Sequence, residues 1–138
     1  MNISRTKLRD LSMKLVYQYD FYPNPELDEQ TENFLTQQDE LTPEDMEAIT
    51  ERMRDIYSHI GELDKKINEN TEGWSSARMN KVDLSIIRLA LYEIECDPEV
   101  PTRVAINEAV ELAKQYGGDE SPKFVNGVLA KFAKDANE

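Results

Sequence analysis

The stretch VDLSIIRLALYEI, residues 82–94, decides the fold of this chain. Its few polar residues, Asp83, Ser85, Arg88 and Glu93, do not share one helix face. A helix that is apolar nearly all round is normally the buried centre of a domain. Residues 82–94 therefore predict a central, buried helix.

The residues after this stretch predict two further helices. Residues 103–116 have apolar residues at helical spacing on one face and polar residues on the other. Gly117 is suited to close that helix in the left-handed conformation. Ser121-Pro122 predicts the start of a last helix, because Ser is a preferred cap and Pro is favoured in the first turn. Gly127, inside this helix, predicts close helix packing, since a helical glycine costs about 1 kcal/mol.

The residues before the stretch predict four more helices. Ser4 is suited to cap a helix that runs to about Phe21, and Pro23-Asn24-Pro25 ends it. A weaker helical segment covers residues 26–38. Thr42-Pro43 marks the next helix start, and Gly61 is expected to interrupt that helix, leaving a shorter one up to about residue 70. No alternating strand pattern occurs, so the sequence predicts an all-α fold of about seven helices.

The composition argues against several kinds of protein. The 138 residues suit one domain, and a net charge of −12 argues against a protein that coats nucleic acid with its whole surface. A single cysteine, Cys96, excludes an internal disulfide or a cysteine zinc site, and a single histidine, His59, leaves little for metal or triad chemistry. No phosphate-binding glycine motif occurs. We therefore expect no enzyme, cofactor or metal site.

The sequence also predicts where the protein acts. No run approaches 18 apolar residues, and the start MNISRTKLRD lacks the apolar core of a signal peptide. We therefore expect a soluble, cytoplasmic protein.

Charge is unevenly distributed. Residues 1–25 hold four basic and two acidic residues, whereas residues 26–64 hold two basic and thirteen acidic ones. A positive end indicates an anionic partner, and a solvated helix face is the alternative. On a helical projection Tyr17 faces away from the apolar stripe. It therefore suits a partner contact, with packing under a loop as the alternative.

A second candidate binding feature lies at the start of the last helix. A helix N-terminus presents free backbone N–H groups and positive partial charge, which suit a phosphate. Lys123 adds a cation, and Phe124 could stack on an RNA base or pack in the core. Glu120 could accept a hydrogen bond from a base amine.

Three blocks of sequence together carry a family resemblance. They are residues 82–94, then VPTRVAINEAVELAKQYG at 100–117, then SPKFVNGVL at 121–129. In this order the blocks resemble the NusB family of bacterial transcription antitermination factors, and the first helix fits less strictly.

The resemblance implies an all-helical, non-catalytic domain over residues 1–138, with two small packed helical bundles at about 1–70 and 75–138. It implies binding of the single-stranded boxA element of nascent ribosomal RNA together with the ribosomal protein NusE, and association with RNA polymerase and other Nus factors. By position, Arg5, Lys7, Arg9, Glu120, Ser121, Lys123 and Phe124 would contact RNA. Tyr17 and Asp83 would meet the ribosomal protein.

Other functions stay open at this point. With few cations and a net charge of −12, we expect weak RNA binding alone and strong binding only with the basic partner. An acidic helical protein-interaction module without specific RNA binding is the alternative, and a homodimer stays open because some family members form one. A similar helical domain precedes the catalytic domain of a ribosomal-RNA cytosine methyltransferase family, but no cofactor-binding domain is expected here.

Overall fold

The computed structural model describes residues 3–71, 73 and 75–133. These residues form six α-helices and no strand. The helices are α1 (Arg5–Gln18), α2 (Asn24–Thr36), α3 (Pro43–Asn70), α4 (Lys81–Cys96), α5 (Thr102–Tyr116) and α6 (Ser121–Ala130), with a 3₁₀ turn at Tyr19–Phe21. The all-α prediction is confirmed, with one helix fewer than the seven predicted. The chain divides into two compact units, Met1–Ser58 and His59–Glu138.

In the first unit, side-chain capping fixes the starts of α1 and α3 at the predicted residues. The Ser4 hydroxyl accepts a hydrogen bond from the Lys7 N–H at 3.0 Å, which caps α1. At the start of α3 the Asp45 N–H donates to the Thr42 hydroxyl at 3.1 Å, and the Thr42 N–H donates to the Asp45 carboxylate at 3.2 Å. This reciprocal pair is a capping box. α1 ends at Gln18, earlier than predicted, because the chain tightens there into the 3₁₀ turn.

Within the same unit, a partly buried polar network joins three helices. The Tyr57 hydroxyl lies 3.0 Å from the Thr31 hydroxyl and donates to the Leu15 carbonyl at 3.4 Å. Burial raises the pKa of the Tyr57 phenol above its usual value of 10.0. The network therefore fixes α2 and α3 against α1 with a neutral phenol.

The predicted break at Gly61 is wrong, because α3 continues through it to Asn70. Ile60, Leu63 and Ile67 are all buried, so one apolar stripe runs past the glycine. Burying each of these side chains is worth about 1.5–3 kcal/mol, which outweighs the roughly 1 kcal/mol that a helical glycine costs.

Replacing Gly61 with alanine is expected to raise the free energy of unfolding by about 0.5–1 kcal/mol. A Cβ at Gly61 meets no atom within 4 Å, so the substitution adds helix propensity without a clash. Urea denaturation followed by circular dichroism measures the change. Gly73→Ala is the control: its Cβ also has space, but φ is +76°, so this variant should lose stability.

In the second unit α4 is the central helix, as the sequence predicts. Residues 83–93 are buried without exception, and both α5 and α6 pack against α4 and against each other. Arg88 is the one basic residue among residues 83–93, and its side chain donates two hydrogen bonds to the Asp64 carboxylate, at 2.8 and 2.7 Å. This paired charge allows α4 to be buried all round.

Candidate nucleic-acid interface

The predicted site residues lie in both units. Arg5, Lys7, Arg9 and Tyr17 belong to α1 in the first unit, whereas Asp83 and residues 120–124 belong to the second. Each set is therefore described within its own unit.

The three basic residues at the start of α1 differ in exposure. Arg5 is exposed and Lys7 is partly exposed, so both can reach an anionic ligand. Arg9 is only 7% exposed, although it lies four residues after Arg5 and therefore on the same side of a helical projection. The helical projection could not show this, because burial depends on what covers each edge. Its role in RNA binding stays a prediction, and Arg9→Ala would also remove packing.

Tyr17 faces outward as predicted and has an aromatic neighbour. Tyr17 is 38% exposed and Phe21 is 55% exposed, and these two are the large hydrophobic residues that the described chain leaves exposed. Their ring centroids lie 5.1 Å apart with planes tilted by 44°. Sequence reasoning missed Phe21 as a surface residue, because it lies in the 3₁₀ turn, where an α-helical projection no longer holds.

In the second unit, a cavity of about 550 Å³ lies beside the N-terminal ends of α4 and α6. Its lining comes from residues 78–80 with Asp83, and from residues 118–121 with Phe124. We call it the α4–α6 cavity. The structure thus brings Asp83, Glu120, Ser121 and Phe124 together, whereas sequence analysis does not indicate that residues so far apart in the chain share a cavity.

Gly117 shapes the connection that forms one wall of this cavity. It is extended, with φ −94° and ψ −178°, so the predicted left-handed conformation is wrong. A Cβ at Gly117 would lie 2.4 Å from the Ser121 Cβ and 2.9 Å from the Ala113 carbonyl oxygen. Glycine is therefore required for space, because the α6 start packs directly on the end of α5.

Ser121 also departs from its predicted capping role. It is the first residue of α6, Glu120 occupies the cap position, and no side chain caps the helix. The buried Ser121 hydroxyl instead accepts a hydrogen bond from the Gly118 N–H at 3.0 Å. This hydrogen bond thus stabilises the turn between α5 and α6.

The other residues of the α6 start are available at the surface. Glu120 and Lys123 are exposed, while Phe124 is half-buried and lines the cavity. Phe124 is therefore neither fully in the core nor fully exposed, and its stacking on an RNA base stays a prediction. Gly127 is exposed and a Cβ there meets nothing within 4 Å, so the predicted close helix packing is wrong, and nothing in the structure explains this glycine.

Asp83 is an unusual carboxylate in the wall of the α4–α6 cavity. It is 7% exposed, and its N–H donates to the Asn80 side chain at 2.9 Å, which caps α4. Its Oδ1 atom is buried and accepts no hydrogen bond from the described residues. A buried polar atom without a partner is costly, so Asp83 is a candidate contact for a ligand.

Acidic side chains line a separate groove in the first unit. This groove, of about 530 Å³, lies between α2 and α3 and is lined by Asp28, Glu29, Glu32, Glu47, Glu51 and Arg54 among others. Its negative charge would repel a phosphate backbone. The groove therefore belongs to the part of the acidic segment 26–64 that is unsuited to RNA.

Two further searches cover the described part of the chain. No group of three or more His, Cys, Asp or Glu residues there could hold a metal ion. No helix in that part is long and apolar enough to cross a membrane.

Comparisons with known proteins find one family over nearly the whole chain. The model of the NusB family matches residues 6–134. The transcription antitermination protein NusB of Agathobacter rectalis is 49% identical over 95% of this chain and 100% of its own length. The protein of the same name from Lachnoclostridium phytofermentans is 43% identical over 94% of this chain and 98% of its own length. Among solved structures, T. maritima NusB superposes with a TM-score of 0.85 at 32% identity, covering 98% of this chain and 94% of that one.

Proposed function

This chain belongs to the NusB family, and from that premise we propose that it is a transcription antitermination factor that binds boxA RNA. In this proposal the RNA is the single-stranded boxA element of nascent ribosomal RNA transcripts, and binding occurs together with the ribosomal protein NusE. The complex then joins RNA polymerase and other Nus factors and suppresses termination. The observation that carries the proposal is the 49% identity to a named antitermination protein over 95% of the chain.

The start of α6 supports an RNA contact in the second unit. Lys123 is exposed beside a helix N-terminus, where cation and helix dipole both attract phosphate. Phe124 is half-buried, so one part of the ring is anchored and the rest is open to a base. A base stacked on an aromatic ring contributes about 1–3 kcal/mol without requiring a paired strand.

Arg5 and Lys7 support a phosphate contact in the first unit, because both reach solvent near the start of α1. These cations are few against a net charge of −12. We therefore expect weak RNA binding by the protein alone, with a shallow salt dependence, and tighter binding with the basic partner. The exposed Tyr17 supplies an apolar contact suited to that partner.

Replacing Phe124 with alanine is expected to weaken boxA binding about 5- to 100-fold, because it removes one stacked base. Fluorescence anisotropy of labelled boxA RNA measures this, with and without NusE and against a scrambled RNA. Phe34→Ala is the matched control, since Phe34 is also half-buried but lies in α2, outside the predicted contacts.

Equal binding of boxA and scrambled RNA, with NusE binding intact, would contradict the RNA proposal. That result would favour the alternative function, an acidic protein-interaction module. The acidic groove between α2 and α3 is the structural observation that supports this alternative. Unchanged boxA binding by Phe124→Ala would refute the stacking role alone.

A further inference from the structure

Arg78 is an exposed arginine in the turn that leads into α4. The turn is held against the end of α3, because the Ser76 N–H donates to the Asn68 side chain at 2.6 Å. Within the turn, the Arg78 and Met79 N–H groups both donate to the Ser75 carbonyl, at 2.9 and 3.2 Å. The backbone of Arg78 is therefore fixed, and its side chain is presented to solvent.

The position of Arg78 distinguishes it from an ordinary surface arginine. It lines the α4–α6 cavity together with Phe124 and the first residue of α6. Of the described residues in that lining, Arg78 alone is basic. Its side chain forms no ion pair or hydrogen bond with the described part of the chain. The planar guanidinium, with five N–H donors, therefore stays available for a ligand at the cavity.

The acidic residues of the same lining decide where a phosphate can lie. Asp119 and Glu120 belong to the wall formed at the start of α6, and Asp83 is buried in the opposite wall. These carboxylates repel a phosphate from the interior of the cavity. Because Arg78 is exposed, it lies at the mouth of the cavity and attracts a phosphate there.

The apolar part of the lining suits the base of the same nucleotide. Met79 and Phe124 supply apolar surface, and the cavity of about 550 Å³ has room for one base. A base that stacks on Phe124 leaves its phosphate outside, where the guanidinium of Arg78 can bind two phosphate oxygens at once.

We propose that Arg78 is a further RNA contact, which holds a backbone phosphate of the nucleotide whose base stacks on Phe124. This inference rests on the proposed function. Arg78 approaches from the α4 side, and Lys123 supplies a second exposed cation from α6. A phosphate contact of this kind positions the strand without reading its sequence. A positive side chain also disfavours the basic protein partner as the ligand of Arg78.

The test compares three variants by anisotropy of labelled boxA and scrambled RNA, with NusE present, at several salt concentrations. Arg78→Gln is expected to weaken binding of both RNAs about 3- to 10-fold and to reduce the salt slope by about 0.7, the value for one phosphate of a single strand. Arg78→Lys should keep the slope, because it keeps the charge. Arg103→Gln is the matched control, since Arg103 is also an exposed arginine of the second unit but does not line the cavity, and it should change affinity by less than about twofold.

Two further measurements separate an RNA contact from a structural role or a protein contact. Arg78→Gln should unfold at the same urea concentration as the unaltered protein and should bind NusE equally well without RNA. A loss of NusE affinity without RNA would overturn the proposal and make Arg78 a protein contact. Selective boxA binding that Arg78→Gln leaves unchanged in affinity and salt slope would overturn this proposal alone. Absence of selective boxA binding by the unaltered protein would overturn the proposed function and this inference with it.

Discussion

Replacing Asp64 with alanine is expected to lower the free energy of unfolding by about 3–5 kcal/mol, because it removes the carboxylate that accepts two hydrogen bonds from the buried Arg88 guanidinium. The Arg88 side chain is only 5% exposed, and two of its nitrogens donate to Asp64. Arg88 lies in the middle of α4, where residues 83–93 are all buried, so little water reaches its guanidinium. Urea denaturation followed by circular dichroism measures the change.

Asp28→Ala is the matched control for this prediction. Asp28 also pairs with an arginine, Arg54, at 3.1 Å, but both side chains are more than half exposed. An exposed pair contributes about 0–1 kcal/mol, so this variant should unfold close to the unaltered protein. Similar losses in Asp64→Ala and Asp28→Ala would show that burial does not decide the worth of the α3–α4 ion pair.

Replacing Gly117 with alanine is expected to lower the free energy of unfolding by about 1–3 kcal/mol. We also expect Gly117→Ala to weaken boxA binding more than Gly118→Ala does. The new Cβ would overlap the Ser121 side chain and the Ala113 carbonyl, so the start of α6 must shift. That shift moves Lys123 and Phe124, which are two of the proposed RNA contacts of the second unit. Thermal unfolding and RNA anisotropy on the same sample measure both effects.

Gly118→Ala serves as the comparison, because a Cβ at Gly118 meets nothing within 4 Å. We expect this variant to differ by less than about 0.5 kcal/mol, as surface substitutions usually do. If Gly117→Ala is as stable as Gly118→Ala, the α6 start is not held by close contact at Gly117.

Helix class and helix starts could be predicted because they depend on neighbouring residues. The apolar run at 82–94 predicts a buried helix, and that helix is α4. Ser4 and Thr42 predict helix starts because their hydroxyls accept N–H groups three residues ahead. The glycines are less predictable: Gly61, Gly117 and Gly127 each have a local interpretation that the structure contradicts.

The sequence predicts which residues belong to the candidate site, but it does not predict how they are arranged in space. The sequence by itself determined that the fold is helical, that Ser4 and Thr42 cap two of its helices and which family its motifs resemble, because periodicity, capping and motif spacing are properties of short stretches. Only the tertiary structure decided that Arg9 is buried, that Gly117 touches Ser121, and that Asp83 lines one cavity with Phe124. These facts depend on which surfaces pack against one another. The free energy of burying apolar surface determines that packing, and it brings together residues that are far apart in the chain.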